Sequence, residues 1–338
     1  MVRKPSVSIG FLMFFIRYSH RNSGRCSVGF PYYAGWPIKG FSAVFLSAAA
    51  ISLAFPVISM AKDACAAMSP SATQPHILNE ALKQKSDTLC YEEFSIFHSG
   101  LTKTPLWTAQ HLTSESVIAA EGVDREDVFH AESALVQANR SELDDYRRSG
   151  YDRGHMAPAA DMASVEAQDQ SFSLANMVPQ LPELNRGLWS RVEGTTRGLA
   201  RQFGEVYVVT GPAFIGKNLK RLNGRVIVPS HVFKAVYVPK AQQAGVWWAE
   251  NSGKGGEYEV ISLFELSKRT GIDVFPALAA QIKENAAKLP APKAHSTKGD
   301  VAKSRQTDQH QNQPAAPVPS AELGWVDLGL ALLERLLK

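Results

Sequence analysis

Cysteine is scarce: the 338-residue chain holds three, with no Cys-x-x-Cys pair. No histidine stands at zinc-finger spacing from Cys65 or Cys90, so a thiolate-bound structural zinc is not expected. The Walker phosphate loop, His-Glu-x-x-His and Gly-x-Ser-x-Gly are missing as well. Their absence removes P-loop nucleotide hydrolases, helix-borne zinc proteases and nucleophile-elbow hydrolases from consideration. Gly253-Lys254-Gly255-Gly256 reads as a flexible hairpin turn, not a phosphate cradle. Excess charge is lacking too. With 36 Lys and Arg against 32 Asp and Glu the formal net charge is +4, which excludes a basic coat and leaves phosphate affinity to local contacts.

One long charge-free apolar run, residues 41–60, follows Lys39 and closes on Ser59-Met60-Ala61. A cationic start, an apolar stretch and a small-x-small end predict an export signal region over 1–61, its first residues up to about 38 an extended start, and a periplasmic or secreted product. A membrane anchor formed by residues 41–60 is the alternative, since a run of this length also spans a bilayer. Cleavage would remove Cys26 and leave Cys65 and Cys90, an even pair that reads as a disulfide in an oxidising compartment. Two unpaired buried thiols are the alternative.

Composition divides the rest. Residues 62–88 are small and polar and predict a loose arm; 89–289 carry the alternating and helical apolar patterns of a folded domain. Within it, β-branched and aromatic segments at Val206–Thr210, Val226–Val228, Val232–Val238, Val246–Ala249 and Tyr258–Phe264 predict a mixed, mainly antiparallel sheet. After Pro179 and Pro182, Leu184 to Phe203 has helical spacing, and a last helix is expected within Pro276–Leu289. Residues 290–320 lack the apolar content to order and predict a disordered linker. Beyond it, 321–338 sets Trp325, Leu328, Leu332 and Leu336 on one face of an amphipathic helix that can dock on its own domain, a partner or a membrane.

The densest signal is Tyr151-Asp152-Arg153-Gly154-His155, followed by Asn176 and then by Asn185, Glu193 and Arg197, which fall at i, i+8 and i+12 of the predicted helix. Neutral imidazole takes a proton from water at neutral pH, Gly154 clears bulk for an approaching phosphate and Arg153 supplies a fixed cation. Asn185 reads as the oxygen ligand of a hydrated Mg²⁺, or Mn²⁺, with a helix cap as its alternative. Asp161 and the Asp144-Asp145 pair lack the spacing of a two-metal cluster.

Together with Pro105-Leu106-Trp107, Thr210-Gly211-Pro212 and Thr270-Gly271-Ile272-Asp273, these residues resemble the DNA/RNA non-specific endonucleases. These are ββα-metal nucleases of the endonuclease G and Serratia type. The resemblance implies an α+β domain with a ββα-metal (His-Me finger) centre, in which His155, Arg153 and Glu193 are catalytic and Asn185 binds the metal. Glu193 would hold a water of the metal, Asn176 and Arg197 would contact the substrate phosphate, and Asp152 would be structural. It implies a Mg²⁺-dependent, sequence-non-specific endonuclease acting on DNA and RNA and leaving 5′-phosphate ends; a homodimer is compatible with it. A catalytically weak surface protein for nucleic-acid capture is the competing reading, needing Arg153 and Arg197 but not His155 or Asn185.

Overall fold

A computed structural model describes residues 65–253 and 256–293. The expected signal region, nearly all of the linker and the helix 321–338 lie outside the described residues, as do Lys254 and Gly255 of the expected turn. Among the described residues no helix is long and apolar enough to cross a membrane.

The strands of three or more residues are β1 (Ser86–Cys90), β2 (Ser95–Ser99), β3 (Thr104–Thr113), β4 (Asp152–His155), β5 (Met177–Gln180), β6 (Glu205–Ala213), β7 (His231–Val238), β8 (Gln243–Glu250) and β9 (Glu259–Ile261). Seven of them form one sheet in the order β9-β8-β7-β6-β3-β2-β1, and every pairing is antiparallel. Strands β4 and β5 pair apart from it. The α+β class with an antiparallel sheet is therefore the observed one.

Alternation sorts the sheet's two faces. Val206, Val208, Val232, Val236 and Trp247 pack in one cluster with Leu188, Trp189, Val192 and Leu199 of the helical segment after Pro182. Their opposite-face neighbours Val209, Phe233, Ala235 and Trp248 form the other cluster. The first face is not apolar throughout: Thr108 lies opposite Thr210, and Thr210 opposite Lys234, so a buried polar row crosses three strands beneath that helix. Gly211 permits the close stacking behind this row, since a Cβ there would sit 2.5 Å from the Leu106 carbonyl oxygen.

The helices that matter here are α1 (Ser114–Ala120), α2 (Val165–Ser171), α3 (Ser190–Phe203) and α4 (Leu263–Thr270). The expected helix over Leu184–Phe203 exists but is not uniform: Leu184–Trp189 is a π-helical turn that runs directly into α3. Gly204, at φ 95°, ends it in a backbone conformation that favours glycine. Several other boundaries move. The last helix shrinks to Ala280–Glu284, Val226–Ile227 pairs only with Arg221–Leu222 in a small hairpin, and the segment read as strand to Phe264 turns helical at Leu263.

The arm expected to be loose is folded in. His76–Ile77 pairs with Ile272–Asp273, Ile77 joins the core, and Ser86–Cys90 is the sheet's edge strand. Cys65 and Cys90 are joined by a disulfide with a Cα–Cα separation of 5.3 Å. At the other end, Leu289 packs close to Gly245, and Lys293 N donates to Thr195 Oγ1 at 3.3 Å, so the first residues assigned to the linker lie on α3.

Candidate active site

Strand β4 carries Asp-Arg-Gly-His, and its register against β5 sets Asp152 opposite Gln180 and His155 opposite Met177. Alternation sends Arg153 and His155 to one side and Asp152 to the other. Asp152 accepts Nε and Nη2 of Arg186, at 2.9 and 2.8 Å, and Nδ2 of Asn185 at 3.0 Å. The carboxylate thus ties the π-turn to the motif strand, a structural role. Gly154 does something other than admit phosphate: a Cβ there would land 1.9 Å from Oε1 of the fully buried Gln180. Its missing side chain makes room for that glutamine.

A carboxylate can only accept hydrogen bonds, so the Asn185 amide nitrogen must face Asp152 and its carbonyl oxygen must face away. The residue is half-buried and lies inside the helical segment, its own N–H bonded to the Leu181 carbonyl at 2.9 Å, so it is not a cap. One oriented amide oxygen on a half-buried residue suits a hard cation that keeps most of its waters. Among the described residues no group of three His, Cys, Asp or Glu side chains converges on a metal position, which disfavours an all-protein cage.

His155 stands against two phenyl rings, edge-on to Phe172 at 5.0 Å between centroids and tilted to Phe129 at 5.6 Å. Arg153 covers Phe129 at 3.9 Å and Arg125 covers Phe172 at 5.3 Å. Burial, then the Arg125 and Arg153 guanidiniums, push the imidazole down to about 3, well below the near-ordinary value the motif suggested. Its Nε2 is enclosed without a partner. The residue as a whole is half-buried.

Below α3 lies a charged cluster. Glu193 is pushed up to about 7 by burial, opposed by Lys234 and Arg197, with the Asp161 charge adding to the rise and Arg125 opposing it. Lys234 is 1% exposed and donates to Thr210 Oγ1 at 2.6 Å; burial holds its ammonium below the ordinary lysine value against the pull of Glu193 and Asp161. Arg197, expected to clamp substrate, donates to buried Asp161 at 2.8 Å, and Gln110 donates to the same carboxylate at 3.3 Å. Arg197 is therefore committed to a protein carboxylate. The π-turn matters to this geometry. In an uninterrupted α-helix eight residues would rotate Glu193 by roughly 80° from Asn185, and a wider turn takes up that drift.

Asn176 departs furthest from expectation. It is fully buried, accepts Ala157 N–H at 2.9 Å, and donates to the Ala157 and Ser171 carbonyls at 2.8 and 2.9 Å. With its amide bonded to backbone, it positions the loop after His155. Sequence reasoning missed Arg125, Phe129, Phe172 and Lys234. The first three lie outside the motif, on segments that only folding brings to it; Lys234 had a legible signal, a charge at an inward position of a strongly apolar strand.

Residues 73–281 match the profile of the DNA/RNA non-specific endonuclease family. Nuclease C1 of Cunninghamella echinulata var. echinulata is 40% identical over 46% of this chain and 66% of its own length. The mitochondrial nuclease of Saccharomyces cerevisiae is 41% identical over 43% of this chain and 48% of its own. The crystal structure of the EndoG/EndoGI complex superposes with a TM-score of 0.52 at 24% identity, covering 62% of this chain and 93% of that one, a likeness of fold. The yeast relative and others are named as mitochondrial, which overturns the expected periplasmic or secreted destination. An apolar leader reports its composition and not the membrane system that receives it. On the match across 73–281, and on a site in which its Asp-Arg-Gly-His strand is tied to the helical Asn, this chain belongs to the DNA/RNA non-specific endonuclease family.

Proposed function

We propose that the chain is a metal-dependent endonuclease that hydrolyses phosphodiester bonds of DNA and RNA without sequence preference, leaving 5′-phosphate and 3′-hydroxyl ends. The observation that carries this reading is the setting of His155: a neutral imidazole against two phenyl rings, each of which also carries a guanidinium. Arg153 forms no ion pair among the described residues and is the clearest candidate to bind a phosphate oxygen. A phosphate drawn between Arg153 and Arg125 would neutralise the two charges that depress His155 and raise its basicity as substrate arrives.

In this mechanism His155 accepts a proton from a water that attacks phosphorus opposite the 3′-oxygen, and the bond to that oxygen breaks. Asn185 would hold Mg²⁺, or Mn²⁺, through its carbonyl oxygen, and such an ion supplies positive charge to the phosphoryl and leaving oxygens. Glu193 would orient water on that side when ionised, with Lys234 and Arg197 favouring its charged form. Contacts aimed at phosphate carry no base information, so sequence preference is weak.

Incubation of the purified full chain with supercoiled plasmid and with RNA, with and without EDTA, tests the reading. Cleavage that stops with chelator and returns with Mg²⁺ is expected. Binding with no cleavage in any metal would instead support the nucleic-acid capture reading.

A further inference from the structure

Between Glu205 and Glu250 the chain contains no Asp or Glu, yet residues 217–225 hold Lys217, Lys220, Arg221 and Arg225. This stretch includes the small hairpin of Arg221–Leu222 with Val226–Ile227, turned at Asn223 and Gly224, both at positive φ. Leu222, Val226 and Val228 pack with Tyr146, Leu174 and Met177, against Phe129 and Tyr151, which seats the hairpin beside the motif strand. Two polar side chains fix it there. Asn223 Nδ2 donates to Asp145 Oδ1 at 3.2 Å, and Arg225 pairs with the same buried carboxylate at 3.5 Å while donating to the Arg140 carbonyl.

Arg225 is thereby used as a peg. Lys217, Lys220 and Arg221 are exposed and have no carboxylate partner among the described residues. Lys220 Nζ stands 4.7 Å over the ring of Tyr151. Tyr151 precedes Arg153 by two residues and His155 by four, so in extended backbone the three share a side, with Tyr151 about 13 Å from His155. That spacing is several steps along a stacked strand, whose rise is about 3.4 Å per nucleotide. Exposed cations without a carboxylate partner among the described residues, on a segment free of carboxylates that packs beside the motif strand, suit a polyanion longer than the scissile unit.

We propose that Lys217, Lys220 and Arg221 form a phosphate-tracking subsite for the nucleic-acid strand running from His155 past Tyr151. The proposal rests on the nuclease reading. It makes the hairpin the determinant of substrate length: long strands gain affinity there, and short ones are cut without it.

The test replaces all three residues, Lys217→Gln, Lys220→Gln and Arg221→Gln, in the full chain, with Lys240→Gln as an exposed-lysine control. Binding to a fluorescent single strand of about 20 nucleotides is measured in EDTA across a salt series, and turnover of a trinucleotide is measured with Mg²⁺. A roughly tenfold weaker Kd at low salt is expected, together with a salt slope shallower by about 2, near 0.7 for each lost contact. Trinucleotide turnover and the control should match the wild type. An unchanged Kd and slope would overturn the proposal, as would an equal loss on the trinucleotide. So would loss of binding to anionic vesicles with oligonucleotide binding intact. A wild-type chain that binds in this manner but cuts nothing would remove the nuclease reading and leave the subsite standing.

Discussion

At the scale of single residues, burial sets the chemistry more than identity does. His155 is neutral down to about pH 3 because rings and guanidiniums surround it, whereas Glu193 is held up near 7. In the free enzyme the acid limb of kcat/KM should therefore follow Glu193: activity rises with pH through about 7, where the carboxyl ionises, and not through the ordinary histidine range. Glu193→Gln should flatten that limb and lower the plateau, and a pH–rate profile of both proteins checks it. His155→Ala should cost on the order of 10²–10⁴ in rate with substrate binding kept. Single-turnover cleavage beside an anisotropy titration decides this, and wild-type-like turnover would remove His155 from the mechanism.

His98 offers a cleaner titration away from the site. Fully buried, with Nε2 donating to the Asn139 carbonyl at 3.2 Å, it is pushed down to about 4 by burial, against the opposing pull of that hydrogen bond. The unfolded chain binds this proton near 6.5 and the folded chain does not, so stability is complete above about pH 6.5 and falls as the pH drops toward 4. The loss is on the order of 3 kcal/mol. Urea melts at several pH values should show this slope in the wild type and a smaller one in His98→Gln.

At the scale of elements, the β4–β5 pair and the π-turn act as one unit because of two side chains, Gln180 and Asp152. Gly154→Ala should destabilise the fold by about 1–3 kcal/mol, since the new Cβ overlaps the Gln180 amide. Removing that amide by Gln180→Ala in the same chain should recover part of the loss. Strictly additive effects of the two substitutions in denaturant melts would show that no clash joins them.

For the whole molecule, the N-terminal segment is part of the domain. The disulfide closes residues 65–90, and β1 edges the sheet immediately before Tyr91, whose hydroxyl donates to Glu132. Non-reducing mass spectrometry should find Cys65 linked to Cys90, and the double substitution to Ala should lower stability by about 2–4 kcal/mol. Two free thiols in the native protein, or an unchanged melting temperature, would contradict that role.

How much was legible follows from what each residue depends on. The family, the α+β class and the antiparallel sheet rest on local pattern and on a motif with fixed spacing, and the sequence by itself determined them. His155, Arg153 and Asn185 stand out as candidates for the same reason, because their neighbours in the chain mark them. The partners of Gly154, Asn176 and Arg197 were not legible, because each lies distant in sequence or across a strand pair: Gln180, the Ala157 and Ser171 backbone, and Asp161. Only the tertiary structure could bring Arg125 and Phe172 to His155, or set Lys234 beneath Glu193. Burial and Coulomb interaction act through space, and the order of residues along a chain does not encode distance until the chain has folded.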